Sequence, residues 1–266
     1  MIHEIQEGYV KVEQEHGITT IEFYHPQSNS LPGKLLHELA QEIRSVGLDS
    51  QTKVIILRSS GDRAFCAGAS FDELQQIHTE AEGYRFFSGF AEVINAMRKC
   101  PKLIIGRIQG KCVGGGVGLA AAADYCIAWE KVEIKLSELA LGFGPFIIGP
   151  AVERKIGTSS FSQLAIDSTL WRNADWAKKK GLFAEVHENV ENMDHSINRL
   201  ANTLAHSSPE AMRELKKAFW KGTENWDELL NEKAAISGRL VLGDYARQAI
   251  AKFKKSKESS KTIVQP

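Results

Sequence analysis

Between Lys111 and Asp124 the chain reads Gly114-Gly115-Gly116, Val117-Gly118, then Leu119-Ala120-Ala121-Ala122-Ala123. Three successive glycines let a backbone pass close to other atoms and reach dihedrals that cost any other residue dearly. The apolar small-residue run that follows suits a helix packed on all sides. A glycine turn opening a buried helix satisfies both constraints. The N-terminus of such a helix offers unpaired N–H groups and the positive end of a dipole, so it suits an oxygen that gains negative charge.

The sequence around this turn alternates strand and helix patterns. Residues 9–13 and 18–23 alternate apolar and polar side chains and predict a hairpin through Gly17. Leu35, Leu36, Leu39, Ile43 and Val46 recur at helical spacing after Pro32-Gly33. Val54-Ile55-Ile56-Leu57 is a short apolar strand, residues 80–98 form a second amphipathic helix, and residues 103–108 a buried strand that feeds the glycines. A further strand is expected over residues 124–129. Strands and helices joined by short connections point to an α/β layer architecture. From residue 196 the pattern turns helical, with candidates at 211–220, 227–240 and 244–256. The expected organisation is therefore a core over 1–195 and a helical region over 196–266, with polar, frayed residues from 257.

Composition narrows the function classes. The chain has 266 residues, with 33 Lys and Arg against 33 Asp and Glu. Zero net charge argues against a nucleic-acid binder or a polybasic membrane binder. No apolar run reaches the length of a membrane span. Met1–Glu7 has neither the basic start nor the apolar run of a signal peptide. Cys66, Cys100, Cys112 and Cys126 lack paired metal spacing and read as reduced, mostly buried thiols of a cytoplasmic protein. The eight histidines show no metal spacing either.

Three segments carry candidate chemistry. Ala64-Phe65-Cys66-Ala67-Gly68-Ala69-Ser70 is a small-residue loop after a strand, able to offer a backbone N–H to a ligand. The glycine run is the second. It is not a phosphate loop, because no Gly-Lys-Ser/Thr follows, and its spacing fails the dinucleotide fingerprint. The third is Ser137-Glu138-Leu139-Ala140-Leu141-Gly142-Phe143, a carboxylate among apolar neighbours. Each alone is weak. Together, in this order, they resemble the crotonase (enoyl-CoA hydratase/isomerase) superfamily. His25-Pro26 through Asn29-Ser30-Leu31 looks like that family's early acyl-CoA loop, and Ala174-Asp175-Trp176-Ala177 with Gly181-Leu182 looks like its segment after the core. The stretch from Glu138 to Ile156 is similar to bacterial sequences labelled enoyl-CoA or methylglutaconyl-CoA hydratase.

The resemblance implies a spiral of ββα turns with a helical C-terminal trimerisation region, assembled as a homotrimer or a dimer of trimers. It implies a coenzyme A thioester as substrate, no further cofactor, and no metal. It places the oxyanion hole at the N–H groups of Ala69 and Gly115, with Cys66, Ala67, Gly68, Gly114 and Gly116 around them. Charge develops on a thioester oxygen when a proton leaves the neighbouring carbon, and two preorganised donors stabilise it, by about 3 kcal/mol each. Phe143, Phe146 and Ile147 are candidate walls for the acyl chain, with a plain core role as the alternative. Lys254 and Lys255 beside Phe253 are candidates for coenzyme A contact by resemblance alone, with a solvated helix face as the alternative.

The sequence also departs from the family pattern. Hydratases of this family use two glutamates around one water. Here Gly118 stands at the first position, Glu138 at the second, Ser137 replaces a proline, and Ser70 replaces an aspartate. Glu138 alone can shuttle a proton in double-bond isomerisation. Hydration stays open where the substrate brings its own carboxylate, and so do decarboxylation of a carboxylated acyl-CoA and a non-catalytic acyl-CoA binding protein. Asp72 and Glu73 read as first-turn helix acids, Asp124 as a cap or salt link, and His25 as a turn residue.

Overall fold

A computed structural model describes residues 8–262, with side chains through Phe253. The expected hairpin is present. Strands β1 (Tyr9–Glu15) and β2 (Ile18–Tyr24) pair antiparallel from Tyr9↔Tyr24 to Glu15↔Ile18. His16 and Gly17 make the turn with φ of 49° and 83°, the left-handed pair that a two-residue hairpin requires.

After helix α1 (Gly33–Leu48) the chain makes repeated turns of two strands and a helix. Strands β3 (Val54–Ser59) and β4 (Ala64–Cys66) lead to the short α2 (Phe71–Leu74) and the long α3 (Glu80–Lys99). Strands β5 (Leu103–Ile108) and β6 (Lys111–Val113) lead to α4 (Gly115–Ala122). Strands β7 (Tyr125–Trp129) and β8 (Glu133–Lys135) lead through a single 3₁₀ turn (Leu139–Leu141) to α5 (Gly149–Ile166). Then come β9 (Arg172–Asn173), α6 (Ala174–Lys179), β10 (Glu185–His187), α7 (Val190–Ala205), α8 (Pro209–Phe219), α9 (Trp226–Leu240) and α10 (Asp244–Thr262).

The first strand of each turn joins one sheet, ordered β1-β2-β3-β5-β7-β10 and parallel from β2 onward. The second strand joins a smaller sheet, ordered β4-β6-β8-β9. Both sheets advance together, which makes the chain a spiral. The apolar runs in β3 and β5 follow from burial on both faces. Ile55, Leu57 and Ile104 face the main core with α1 and α3, whereas Val54, Ile56 and Ile105 face Met193, Ile197 and Ala201 of α7.

The small sheet leaves little trace in the sequence, because three-residue strands show no period. Helix α7 starts before residue 196, so it straddles the boundary expected there and caps the large sheet. The three expected C-terminal helices are present, with a break at Gly222, whose φ is 83°. Residues 257–262, expected to be frayed, continue α10.

Candidate active site

Strands β4, β6 and β8 lie side by side, with β4 parallel to β6 and β6 parallel to β8. Their C-terminal ends therefore lie together, and each end opens into one of the three segments read from the sequence. Cys66 leads to Ala67–Ser70, Val113 to the glycine run, and Lys135 to Glu138.

The first segment is fixed by backbone hydrogen bonds to residues 28–31. The Ala67 N–H donates to the Ser28 carbonyl at 3.2 Å, the Leu31 N–H to the Gly68 carbonyl at 2.8 Å, and the Ser70 N–H to the Leu31 carbonyl at 3.0 Å. Leu31 and Ala69 form a parallel bridge. Such a bridge uses the groups on either side of Ala69, so the Ala69 N–H is turned away from Leu31. Ser70 then caps α2, its hydroxyl accepting from the Glu73 N–H at 3.3 Å.

The second segment needs its glycines. Gly114 has φ 52° and ψ −115°, left-handed backbone that disfavours a side chain. A Cβ at Gly116 would sit 2.2 Å from the Cys66 carbonyl oxygen, and one at Gly115 would sit 2.2 Å from Cζ of buried Phe90. A Cβ at Gly68 would stand 3.5 Å from the Gly115 nitrogen. The two loops are thus in contact through bare backbone. Gly115 is the first residue of α4, where a backbone N–H has no intrahelical acceptor. The Gly114 N–H donates to the Lys135 carbonyl at 2.9 Å, which ties this turn to the strand leading to Glu138.

Glu138 approaches the same turn. A Cβ at Gly114 would lie 2.8 Å from Glu138 Oε1. Glu138 Oε2 is buried and has no hydrogen-bond partner among the described residues. Burial raises the carboxyl from 4.5 to about 7, against a smaller opposing pull from its own backbone N–H. Loss of hydration disfavours the charged form, and no cation among the described residues offsets it. Beyond Glu138, Gly142 ends the 3₁₀ turn at φ 89°. The Phe143 ring packs edge-on against Phe87, with centroids 5.2 Å apart. Phe146 is half-buried and folds back over Gly144, where a Cβ would meet its ring at 2.7 Å.

Gly118 is buried one turn into α4. A Cβ there would fall 2.4 Å from Cγ2 and 2.7 Å from Cβ of Ile148. The space beside Gly118, where the resemblance led us to expect a second carboxylate in a hydratase, is therefore filled by an apolar side chain from the start of α5, which the sequence reading missed.

Helix α10 lies across both sides of this region. Ala246 and Tyr245 pack on Gly142, and the Phe253 ring packs tilted by 54° against Phe71, centroids 5.0 Å apart, just after the Ala69 loop. Lys254 and Lys255 lie outside the residues whose side chains are described. Glu73 accepts from the Gly33 N–H at 2.9 Å and Asp72 from Gln27 at 2.6 Å, consistent with structural acids. His25 sits in its turn with Nδ1 buried and unpartnered among the described residues, and burial lowers its pKa. Cys66, Cys100, Cys112 and Cys126 are buried and unpaired by disulfide, and burial pushes the Cys66 thiol up to about 12. A recess of about 970 Å³ runs between α1 and α3 past His37, Arg85 and Glu92, and neither Ala69, Gly115 nor Glu138 lines it.

The two-sheet spiral agrees with what similarity to known proteins shows. Residues 13–256 match the model of the enoyl-CoA hydratase/isomerase family. The chain belongs to that family. It is an enzyme of this acyl-CoA-handling group, and the crotonase-like α/β spiral expected from the sequence is its fold. Putative enoyl-CoA hydratase/isomerase YngF of Bacillus subtilis is 30% identical over 217 residues, covering 80% of this chain and 81% of that protein. Mouse mitochondrial methylglutaconyl-CoA hydratase is 31% identical over 200 residues, covering 74% of this chain and 63% of that protein. Among solved structures, the enoyl-CoA hydratase from Bacillus halodurans superposes with a TM-score of 0.85 at 19% identity, over 92% of this chain and 99% of that one. No helix among the described residues is long and apolar enough to cross a membrane.

Proposed function

We propose that this enzyme moves a proton on an enoyl-CoA thioester, with Glu138 as its one acid–base group and the N–H groups of Ala69 and Gly115 holding the thioester oxygen. The observation that carries this reading is Ile148 packed against Gly118, because it removes the room for the second carboxylate that paired-glutamate hydration needs. The Glu138 carboxylate takes a proton from C2 of a 3-enoyl-CoA. The resulting dienolate carries its charge on the thioester oxygen between the two N–H groups. The protonated Glu138 then returns the proton at C4, and the double bond moves to C2–C3. No proton is gained or lost overall. A carboxyl raised to about 7 has both forms at hand near neutral pH, as a shuttle requires. The dipole of α4 adds to the field at Gly115.

A second reading is favoured by the similarity to proteins named methylglutaconyl-CoA hydratase. A branched substrate with its own carboxylate would replace the missing one, and Glu138 would handle the water. The two readings separate in deuterated water with 3-hexenoyl-, crotonyl- and methylglutaconyl-CoA followed by mass spectrometry. Isomerisation gives deuterium incorporation without water addition. Hydration of methylglutaconyl-CoA, with no conversion of 3-hexenoyl-CoA, would overturn the first reading in favour of the second. Release of carbon dioxide as the sole event would overturn both.

A further inference from the structure

We propose that Asn29 is a positioning residue for the oxyanion hole, setting the direction of the Ala69 N–H through the segment Ser28–Leu31; the inference rests on the oxyanion role given above to Ala69. Asn29 is 3% exposed, and every polar atom of its carboxamide is engaged. Its Oδ1 accepts from the His25 N–H at 2.8 Å, and its Nδ2 donates to the carbonyls of Ser60 at 2.8 Å and Ala64 at 2.9 Å. The last two acceptors flank the turn between β3 and β4, so one side chain ties the loop at 25–31 to the strand that delivers Cys66–Ala69.

The backbone of this loop is unusual in the same place. Ser28 and Asn29 have φ of 57° and 55°, two successive left-handed residues, a conformation that asparagine tolerates better than most. That pair aims the Ser28 carbonyl at Ala67 and presents Leu31 to both Gly68 and Ser70. Three of the four residues from Ala67 to Ser70 are thereby held by main-chain bonds to 28–31, and the Ala69 N–H is left over. The second donor, Gly115, needs no such brace, because the first turn of α4 sets its direction. Asn29 therefore acts at a distance from the reacting atoms and on one half of the hole.

The test uses a chromophoric acyl-CoA, cinnamoyl-CoA, whose absorption shifts to the red when its thioester oxygen is polarised. The spectrum is recorded at saturation on the full-length protein, together with kcat and KM on the turned-over enoyl-CoA. Asn29→Gly keeps the left-handed backbone open but removes the three side-chain bonds. Asn29→Asp keeps the acceptor for His25 and turns oxygen toward the two carbonyls. We expect both variants to bind cinnamoyl-CoA, to lose most of the red shift, and to lower kcat by about 10–100-fold with KM within about threefold of the parent, as misplacement on the ångström scale does. A purely structural asparagine would lower the melting temperature and leave the shift per bound ligand unchanged, and that result overturns the proposal. So would loss of cinnamoyl-CoA binding by whichever variant folds. Absence of any shift in the unsubstituted enzyme would instead overturn the oxyanion reading of Ala69 and Gly115, and the role of Asn29 with it.

Discussion

Two buried carboxylates, one beside the start of α4 and one just beyond its end, have opposite surroundings. Asp124 follows α4, and its side chain is 5% exposed. Its Oδ2 meets Lys216 Nζ at 2.9 Å and the Ile104 N–H at 2.8 Å, and its Oδ1 accepts from Trp220 Nε1 at 3.1 Å. Lys216 in turn donates to the Lys102 carbonyl at 2.8 Å. Glu138 has a buried oxygen with no partner among the described residues. Full satisfaction makes a charge structural, whereas an unpaired buried carboxylate is costly to keep and available for chemistry. The contrast predicts that neutralising the two groups will have opposite effects on stability.

The largest expected effect is kinetic. Glu138→Gln is expected to lower turnover by about 10²–10⁴-fold while acyl-CoA binding, measured by calorimetry, stays near that of the parent. Next, Lys216→Met leaves Asp124 buried without its cation and is expected to cost about 3–5 kcal/mol in denaturant unfolding. A loss under 1 kcal/mol would mean that Asp124 is better hydrated than its packing implies.

The third effect sharpens the contrast through pH. The carboxyl of Glu138 is held at about 7 in the folded state against 4.5 for a free side chain. The folded protein therefore keeps a proton that the unfolded chain has released. Stability from this group is fully present below about 4.5 and falls as pH rises through about 7, by about 3 kcal/mol in all. Glu138→Gln should thus unfold at higher denaturant than the parent at pH 8, with the gap closing toward pH 5. Asp124→Asn should be less stable than the parent at pH 8. Stabilities that move in the same direction would break the comparison.

The smallest effect concerns the filled second position. Gly118→Ala is expected to cost about 1–3 kcal/mol through its collision with Ile148. Combined with Ile148→Ala, it should cost clearly less than the sum of the two single changes. Additive losses would show that the two residues do not compete for space. Restoring glutamate at 118 alone is accordingly not expected to create hydratase activity.

Much of the candidate site was legible in the sequence because its parts are short and each has a narrow chemical need. A glycine is required wherever a Cβ would strike a carbonyl, as at Gly116 against Cys66. Glu138 was legible as a carboxylate among apolar neighbours, whereas its raised proton affinity follows from a burial that only the fold provides. The large sheet was legible too, since β2 mixes apolar and polar residues and β3 and β5 each open on a run of apolar residues. The small sheet was not, because β4, β6 and β8 have three residues each and are defined by their neighbours. The partner of Asp124 was beyond reach for the same reason: nothing local marks Lys216 on α8 as its cation. Ile148 reads as an ordinary core residue until α5 is placed against α4. Asn29 reads as part of a loop until its carboxamide is seen to bridge Ser60 and Ala64.

The most direct test of a single acid–base group is hydrogen exchange at C2 of a bound acyl-CoA in deuterated water, followed by NMR across pH in the parent enzyme and in Glu138→Gln. The parent is expected to exchange at a rate that rises with pH and levels off above about 7, the value to which burial raises this carboxyl. Glu138→Gln is expected to bind the same ligand and exchange nothing. Exchange at the parental rate in Glu138→Gln would show that another group moves the proton, and would contradict the account.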